Sequence, residues 1–522
     1  MHRLGWLLLV QSLWVYGQGW EPLRDSMVIE NERVETLDLT QRPLPAIPAL
    51  SPPTWPALSF PWEKAPAHPL LQPAVLQPTR PSWTKLAPLH LRYGIGRFWT
   101  QLVEATWTHT RDLARDGGLA FTHFSTPQGH VPFARWGYST LQAWIGHTTS
   151  TSGWEARYKG SFEKFFFYAP YAEKWYGFSE NTPAQDSLKG HYWRQELTLS
   201  GWSSRWGQIA LHTRRLDFRQ GTPEWQNEIS WQSPSYKLPY LGQGTTYLRA
   251  FLEGKRFLFS GTSIGTYTWG AWLIRGGLQA ALAKDSTLRF FAAPHLLAVY
   301  QGISPSLCPY IELKGDIRPL TYYAASELNP YLYRDTKVLP FTREWLTAEA
   351  GLRGQGTGWD YRIAAEYRYA QNLLRFQPMG ARFGIAPLST FQSIGGILSL
   401  AYTPQATGPY AELQAAYRRW HLPTQVVYYS VSPWEIAARG GYQWENKIAF
   451  FLSTQILGPR FLTDSLQVPP FVDISWEAHV RLWPFLSFFV QMNNLLNQRF
   501  YRWYGYRERP LDVRIGIWTK IG

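Results

Sequence analysis

Apolar and polar residues alternate without a break over the stretch 471–482. Successive side chains of a β-strand point to opposite faces, so this alternation predicts a strand with one apolar and one polar face. The apolar face would carry Val472, Ile474, Trp476, Ala478, Val480 and Leu482, and the polar face Asp473, Ser475, Glu477, His479 and Arg481. A soluble β-sandwich and a water-filled membrane barrel both contain such strands, so the pattern alone leaves the two open.

The same alternation recurs from Leu89 to the C-terminus, in roughly 22 segments of about 8 to 16 residues separated by turn residues. In the segment 361–369, for example, Arg362, Glu366 and Arg368 alternate with apolar residues. We therefore expect an all-β fold, closed as a transmembrane antiparallel β-barrel of about 22 strands within a range of about 16 to 22, because bacterial single-chain barrels have even strand numbers.

The connections between these segments alternate between short and long. Short links are expected near Ser203, Tyr267, 355–357, 405–407, Asn446 and Pro484, and long ones near 168–189, 318–344, 370–391, 420–433, 458–470 and 494–510. Outer-membrane barrels place short turns in the periplasm and long loops outside, which predicts that both termini are periplasmic. Within the second long link, the stretch Tyr322–Tyr331 is expected to form a short helix.

Composition favours the membrane barrel over the soluble alternatives. Aromatic residues make up 16% of the chain and charged residues only 17%, a balance that suits a lipid-facing surface with aromatic girdles at its interfaces. Beyond residue 17, no stretch approaches the roughly 18 consecutive apolar residues of a membrane-spanning helix. The single Cys308 excludes an intrachain disulfide and a cysteine-based zinc cluster.

The net charge of +14 raises the question of a nucleic-acid partner. Nucleic-acid binding predicts clustered Lys and Arg, whereas the Arg residues here are scattered singly through strands and loops. Scattered cations suit a water-filled lumen and an anionic lipid surface better. The expected partners are therefore outer-membrane lipid and lipopolysaccharide rather than nucleic acid, with a periplasmic or outer-membrane protein as a further candidate through the leader or the loops.

The N-terminal part predicts a secreted protein with an extended leader. Residues 1–17 have the charged start and short apolar run of a signal peptide. Residues 18–88 are rich in proline, which removes backbone donors and breaks helices, so this leader should be extended and lack a core of its own. The barrel would then comprise residues 89–522.

The C-terminal residues carry a resemblance to a known family. A strand is followed by Asn493-Asn-Leu-Leu-Asn497, the aromatic pair Phe500-Tyr501, the motif Trp503-x-Gly-Tyr506 and a last strand over 511–521. This order resembles the end of TonB-dependent-receptor barrels of Gram-negative outer membranes. Such barrels usually finish on an aromatic residue, whereas this chain finishes Trp518-Thr-Lys-Ile-Gly522.

The other end of the chain refines that resemblance. The runs 27–34, 44–48, 89–97 and 118–126 with Gly129 resemble plugless TonB-receptor-like proteins of Bacteroidetes-type bacteria. The resemblance implies that the folded plug domain is absent, since 18–88 is too short to hold it. A candidate remnant of the box that binds the energising protein is the run Asp25, Ser26, Met27, Val28 and Ile29.

The resemblance and the pattern together give the expected function. We expect a solute transporter or pore with an occluded lumen, filled by side chains, loops or the leader; a non-transporting structural or assembly component is the alternative. The lumen-facing candidates are Arg362, Glu366, Arg368, Glu477, His479 and Arg481. An aromatic girdle or loop platform is expected at Phe166, Phe167, Tyr168, Tyr171, Trp175 and Tyr176.

Enzymatic chemistry is disfavoured, and an outer-membrane hydrolase is the least favoured alternative. His123 and Ser125 would share one face of a strand, but the sequence offers no third residue to orient the histidine. Neither a Gly-Lys-Ser/Thr phosphate loop nor a His-Glu-x-x-His metal motif occurs. We expect no catalytic residue, cofactor or metal site.

Overall fold

The computed structural model describes most of the chain from Leu89 onward. The described residues are 89–112, 115–127, 135–166, 189–219, 223–238, 242–304, 306–334, 338–356, 358–379, 382–402, 408–421, 432–444, 447–463, 466–503 and 506–521.

Almost every described element is a strand. The strands are β1 (Leu89–Gly96), β2 (Gln101–Asp112), β3 (Arg115–Thr126), β4 (Trp136–Thr148), β5 (Ser152–Phe166), β6 (Lys189–Ser203), β7 (Gly207–Phe218), β8 (Glu224–Gln232), β9 (Tyr236–Leu238), β10 (Gly242–Glu253), β11 (Arg256–Trp269), β12 (Trp272–Lys284), β13 (Leu288–Tyr300), β14 (Cys308–Pro319), β15 (Phe341–Gln355), β16 (Trp359–Gln371), β17 (Phe376–Met379), β18 (Arg382–Ile385), β19 (Phe391–Tyr402), β20 (Gly408–His421), β21 (Trp434–Trp444), β22 (Ile448–Leu457), β23 (Arg460–Thr463), β24 (Leu466–Val468), β25 (Phe471–Trp483), β26 (Leu486–Asn493), β27 (Tyr501–Trp503), β28 (Tyr506–Arg507) and β29 (Asp512–Ile521). A 3₁₀ turn spans Arg97–Trp99, and the helix α1 spans Tyr322–Leu328.

The strands form a closed antiparallel barrel. One sheet contains 23 of them, and the short β9 continues the line of β8 beside β10, which leaves 22 strands around the barrel. The barrel closes where β1 pairs with β29, from Leu89 opposite Ile521 to Gly96 opposite Arg514. Closure removes the unpaired edges of an open sheet. The predicted all-β barrel of about 22 strands is therefore confirmed.

The strand predicted from the alternation at 471–482 is β25, which pairs with β22 and β26. Its two faces differ at the start of the strand, where Asp473 is 5% exposed while its neighbours Val472 and Ile474 are partly exposed, whereas near its end Arg481 and Leu482 are both exposed. Among the described helices, none has the length and apolar character needed to cross a membrane.

All of the long connections lie at one end of the barrel, because consecutive barrel strands run in opposite directions, and a few short connections, such as 254–255 and 285–287, lie at that end too. The long ones are 167–188, 320–340, 372–390, 422–433, 458–470 and 494–511, which agrees with the links expected from the sequence. The turn expected near Tyr267 is wrong by three residues. It falls at Gly270, whose φ of 56° suits glycine, and Tyr267 still pairs with Ile274 within the hairpin.

Three of the long connections contain structure that the alternation did not predict. Short hairpins form between β17 and β18, between β23 and β24, and between β27 and β28. The expected helix is present as α1, where the Thr321 hydroxyl caps the helix by accepting a hydrogen bond from the Ala324 amide at 3.2 Å. Pro330 follows Asn329, and the residue before a proline disfavours helical geometry, so the helix ends there.

Candidate functional site

Each barrel strand presents two chemically different faces. On β16, Ile363 is 51% exposed, whereas its neighbours Arg362 and Ala364 are partly or fully covered. We call the side that bears the exposed large apolar residues the apolar face, and the side that bears the ion pairs the polar face. The apolar face includes Leu141, Ile145, Ile209, Ile229, Leu278, Phe290, Ile311, Ile363 and Ile394.

Ion pairs follow the polar face across β14 to β20. Arg362 pairs with Glu349, which also accepts a hydrogen bond from the Tyr310 hydroxyl. Arg318 and Arg368 both pair with Glu344. Arg418 on β20 reaches across β19, so that its guanidinium lies 3.0 Å from a carboxylate oxygen of Glu366 on β16. Carboxylates and guanidinium groups therefore alternate along this part of the polar face, so each buried charge has a partner.

A second network crosses the seam where the barrel closes. Arg92 on β1 lies 2.9 Å from Glu477 on β25 and 3.4 Å from Glu104 on β2. The contact with Glu477 passes over β26 and β29, and the guanidinium of Arg92 stacks 4.0 Å above the ring of Phe489 on β26. His479 contacts the same Glu477 carboxylate at 2.6 Å. This network ties together the first and last strands of the barrel.

The connection 320–340, which carries α1, reaches across to β5 and β6. Arg194 on β6 donates to the hydroxyl of Ser326 at 2.9 Å and to its carbonyl at 2.6 Å, while it pairs with Glu163 on β5 at 2.9 Å. The Tyr192 hydroxyl donates to the Leu332 carbonyl at 2.9 Å. Arg194 and Glu163 are almost completely buried, so these bonds hold the connection against strands that are far from its own in the barrel order.

Three long connections meet in an apolar group that we call the loop cluster, made of Tyr331, Phe383, Trp503 and Tyr506. The rings of Tyr331 and Tyr506 stack with centroids 3.4 Å apart, and the Phe383 ring lies 5.6 Å from that of Trp503. A backbone hydrogen bond also links two of these connections, since the Tyr333 amide donates to the Phe383 carbonyl at 2.7 Å. The connections 320–340, 372–390 and 494–511 thus share one core.

A buried charged group anchors the last of these connections to the barrel wall. Asp512 at the start of β29 lies 3.0 Å from Arg514 and 3.4 Å from Arg509, and all three are at most 2% exposed. Both guanidinium groups also lie over the ring of Phe124 on β3. Asn494 donates to the Arg509 carbonyl at 2.6 Å, which connects the two ends of 494–511.

Polar groups of the wall also hold the helix α1. Glu224 accepts a hydrogen bond from the Tyr323 amide at 3.3 Å, and Arg256 donates to the Leu320 carbonyl at 3.0 Å. Burial, reinforced by the charge of Glu327, raises the pKa of Tyr323, so its phenol stays neutral where it packs. The helix is therefore fixed at its first turn and, through Ser326, near its end.

The predicted site residues fall into three groups: those in ion-pair networks, those described without such a pair, and those outside the described residues. Arg362, Glu366 and Arg368 belong to the ion pairs of β14 to β20, and Glu477 and His479 to the seam network. Arg481 is on the same face of β25 but exposed, near the turn to β26. Phe166 is buried at the end of β5. The run Asp25–Ile29 and the aromatic residues Phe167, Tyr168, Tyr171, Trp175 and Tyr176 lie outside the described residues.

Sequence reasoning missed Arg194, Glu163, Tyr331 and Tyr506. For Arg194 and Glu163 a signal was present, because each occupies a polar position in an alternating strand next to aromatic residues. The partners of Tyr331 and Tyr506 lie far along the chain, and no local pattern could have identified them.

His123, the candidate catalytic histidine of the sequence, contacts only serine hydroxyls among the hydrogen bonds that the structure shows for it. His123 lies 2.8 Å from the Ser139 hydroxyl and 3.2 Å from the Ser125 hydroxyl. Both partners of the imidazole are serine hydroxyls, and neither is a carboxylate that could orient it for general-base catalysis. Across the part of the chain that the structure describes, no three His, Cys, Asp or Glu side chains are grouped so that they could hold a metal ion.

These features define the fold class of the large antiparallel transmembrane barrels. Solved structures share the fold over most of the chain. The FrpB iron transporter from Neisseria meningitidis matches with a TM-score of 0.62 at 10% identity, over 84% of this chain and 81% of that chain. The ferric-catecholate import receptor Fiu from E. coli matches with a TM-score of 0.60 at 10% identity, over 83% and 81%. The copper transporter OprC matches with a TM-score of 0.57 at 11% identity, over 83% and 80%.

At such low identity the similarity establishes the architecture and carries no residue-level correspondence. No family model matches the sequence, and the comparison with characterised protein sequences found no significant match. The chain is therefore similar in fold to these transporters and this import receptor.

Proposed function

We propose that this protein is an outer-membrane barrel of the TonB-dependent-receptor type that transports a solute and is closed at its long-loop end in the resting state. The apolar face would meet lipid and the polar face would line the lumen. The side chains that would then lie in the solute path are Arg362, Glu366, Arg368, Glu477, His479 and Arg481. A barrel of 22 strands encloses a wide lumen, and known transporters of this size keep it plugged.

The contact between Arg194 and Ser326 is the observation that carries the closed state. It joins the connection 320–340 to the opposite part of the wall, and the loop cluster joins the same connection to 372–390 and 494–511. A set of loops bonded to the wall on one side and to one another in the middle can seal the mouth of the barrel.

The roles proposed for the N-terminal segments and for the aromatic run after β5 rest on the sequence. Residues 1–17 would be the signal peptide and 18–88 an extended periplasmic leader in place of a plug domain, with both termini in the periplasm. Within the leader, Asp25 to Ile29 would be a remnant of the TonB-binding box. In the aromatic run from Phe166 to Tyr176, Phe166 is buried at the end of β5, and the residues after it would be part of the outer girdle or of a loop platform.

Planar-bilayer conductance tests the proposal. The full chain should insert with little or no conductance, and replacing residues 321–339 by a short Gly-Ser linker should give large, stable channels. A matched replacement in the short turn 285–287, which is outside the loop cluster, should leave the conductance low.

The mutual burial of the loops also favours a second function, that of a non-transporting component of an outer-membrane assembly. The same experiment separates the two. If the linker variant folds into the membrane and still conducts nothing, the lumen is filled along its length and the transport proposal is wrong.

A further inference from the structure

Two arginines on the polar face, Arg275 on β12 and Arg353 on β15, make no ion pair with any residue that the structure describes. Both side chains are half-buried. Their cross-strand neighbours include no acid and are Thr266, Leu297, Cys308 and Arg362. The Nε–H of Arg275 is buried and has no hydrogen-bond acceptor among the described residues. Because buried polar and charged groups in proteins usually have a partner, these two guanidinium groups are candidates for binding an anion.

Two acids on β14 and β15 are already paired with other cations. Glu312, whose charge acts on Arg353, lies 3.2 Å from a lysine ammonium of its own strand, and Glu349 pairs with an arginine of β16. Asp360, near the start of β16, is exposed to solvent, where its charge is screened. The guanidinium groups of Arg275 and Arg353 lie close enough for their like charges to interact. This part of the polar face therefore carries an excess of positive charge.

An apolar belt crosses the polar face between the two arginines. It is formed by six residues that pair directly from strand to strand, which are Leu273, Val299, Tyr310, Gly351, Ala364 and Ile397. Arg275 lies two residues beyond Leu273 towards the long-loop end, and Arg353 lies two residues beyond Gly351 towards the short-turn end. The two guanidinium groups therefore approach the belt from opposite sides.

The belt also affects how the two charges behave. The Arg353 guanidinium lies 5.4 Å from the centroid of the Tyr310 ring, which orients it over the middle of the belt. Leu273, at the end of the belt beside Arg275, is half-buried and so can be contacted by a ligand. An apolar environment strengthens the attraction between a guanidinium and an incoming anion, because water screens it less there.

We propose that Arg275 and Arg353 together bind the carboxylate of a small organic acid, whose apolar part lies against the belt at Leu273. A carboxylate between the two guanidinium groups would offset their mutual repulsion and accept charge-assisted hydrogen bonds from both. An inorganic anion would make no use of the apolar belt, which is why the acid is organic. The proposal rests on the proposed function, in which the polar face lines the lumen, and it names a class of solute for that lumen.

The test is equilibrium dialysis of radiolabelled 4-phenylbutyrate against the full chain in phosphatidylcholine nanodiscs. The competitors are 4-phenylbutyramide, which has the same apolar part without the charge, and acetate, which has the charge without the apolar part. Wild type is compared with the double variant Arg275→Gln with Arg353→Gln. Folding of each variant is checked by the electrophoretic shift between unheated and heated samples.

The matched control is Lys159→Gln with Arg439→Gln, which removes the same number of positive charges from the polar face. Each of these two cations lies directly opposite an acid on a neighbouring strand, Glu196 for Lys159 and Glu412 for Arg439. Their charges are therefore balanced locally, and neither cation borders the apolar belt.

The double variant at Arg275 and Arg353 should bind 4-phenylbutyrate at least about 10-fold more weakly than wild type, because a lost hydrogen bond to a charged group typically costs that much. The control variant should bind as wild type does. On wild type, both the amide and acetate should compete far less well than unlabelled 4-phenylbutyrate, a comparison that does not depend on any variant folding.

Three results would overturn the proposal: equal losses in the two double variants, an amide that competes as well as the acid, or acetate that competes as well as 4-phenylbutyrate. Conductance is measured in parallel and bears only on the transport function. A barrel that binds the acid and never conducts retains the binding site and loses the transport role, whereas a barrel that conducts without binding the acid does the reverse.

Discussion

Arg194 donates hydrogen bonds to both the hydroxyl and the carbonyl of Ser326, although Arg194 belongs to β6 and Ser326 to the connection between β14 and β15. The same guanidinium pairs with Glu163, and both charges are removed from solvent. A buried guanidinium with a carboxylate on one side and two loop oxygens on the other fixes the position of that loop, since each acceptor would otherwise lack its donor.

Replacing Arg194 by Ala should destabilise the barrel by about 3–5 kcal/mol, because Glu163 would be left buried without its cation. Urea unfolding of the protein in lipid vesicles measures this change in the free energy of unfolding. Arg157→Ala is the matched control. That arginine pairs with Glu155 while 59% exposed, so its loss should cost about 0–1 kcal/mol. If adding Glu163→Gln to the Arg194→Ala variant recovered none of the stability, the uncompensated carboxylate would not be the cause.

If the stacking of Tyr331 on Tyr506 helps to close the long-loop end of the barrel, its removal should open the barrel. Truncating Tyr331 to Ala removes a ring that is 2% exposed from the middle of the loop cluster, at an expected cost of about 3–5 kcal/mol for an aromatic core residue. Because the lost contacts join two loops rather than two strands, the barrel should stay folded and become leaky. Single-channel recording should show frequent brief openings that wild type lacks.

Tyr333→Ala provides the control for this variant. Tyr333 is in the same connection but 39% exposed, so its removal should leave both stability and conductance close to wild type. Equal leakiness of the two tyrosine variants would mean that the loop is sensitive to any change and that the stack has no special role.

The barrel itself could be predicted from the sequence because its signals are local. The alternation over 471–482, the strand number and the position of the long connections all depend on residues that are close together in the chain. The period of two that a strand imposes is visible in any eight-residue window. The error at Tyr267 was local too, since Gly270 is the residue whose backbone conformation selects the turn.

The loop cluster could not be predicted in the same way. Tyr331, Phe383 and Trp503 come from three connections, and each sits in a stretch without a clear period. Their meeting depends on how the closed barrel brings its loop ends together, which is a property of the whole sheet. The lumen candidates Arg362 and Glu477 were identifiable by alternation, whereas their partners across the polar face were not.

The seam between β29 and β1 predicts a strict requirement for glycine. Phe489 lies across Gly516 and Gly94, and a side chain on Gly516 would overlap the Tyr93 carbonyl oxygen and come within 2.6 Å of the Phe489 ring. Gly516→Val should therefore reduce the yield of folded barrel and lower the free energy of unfolding by about 1–3 kcal/mol or more. Folding is measured by the electrophoretic shift between unheated and heated samples.

Gly276→Val is the comparison for this seam variant. Gly276 lies on the apolar face of β12, with open space where a Cβ would be. The change should stay within about 0.5 kcal/mol of wild type. A similar loss of folded protein for Gly276→Val would show that valine is poorly tolerated anywhere in these strands, which would remove the argument for close packing at the seam.

The orientation of the barrel, that is, which end faces the cell exterior, can be tested by labelling two turns. Residues 285–287 lie at the long-loop end and Gly270-Ala271 at the short-turn end, since β12 runs from one to the other. In a Cys308→Ser background, Thr287→Cys should react with a membrane-impermeant maleimide in intact cells. Ala271→Cys should react only after the outer membrane is permeabilised. The reverse pattern would place the long loops and the loop cluster in the periplasm.

Deleting the leader should distinguish its role from that of the loops. The loop cluster and the Arg194 contact are formed entirely by residues after Leu89, so closure at the long-loop end does not require residues 20–85. A variant that keeps the signal peptide and lacks 20–85 should therefore insert as a folded barrel with the same low conductance as the full chain. Planar-bilayer recording of the two proteins side by side measures this, with the 321–339 linker variant as the positive control for an open channel. If the leader deletion conducted as strongly as the linker variant, the leader would be the occluding segment and the loop cluster insufficient by itself.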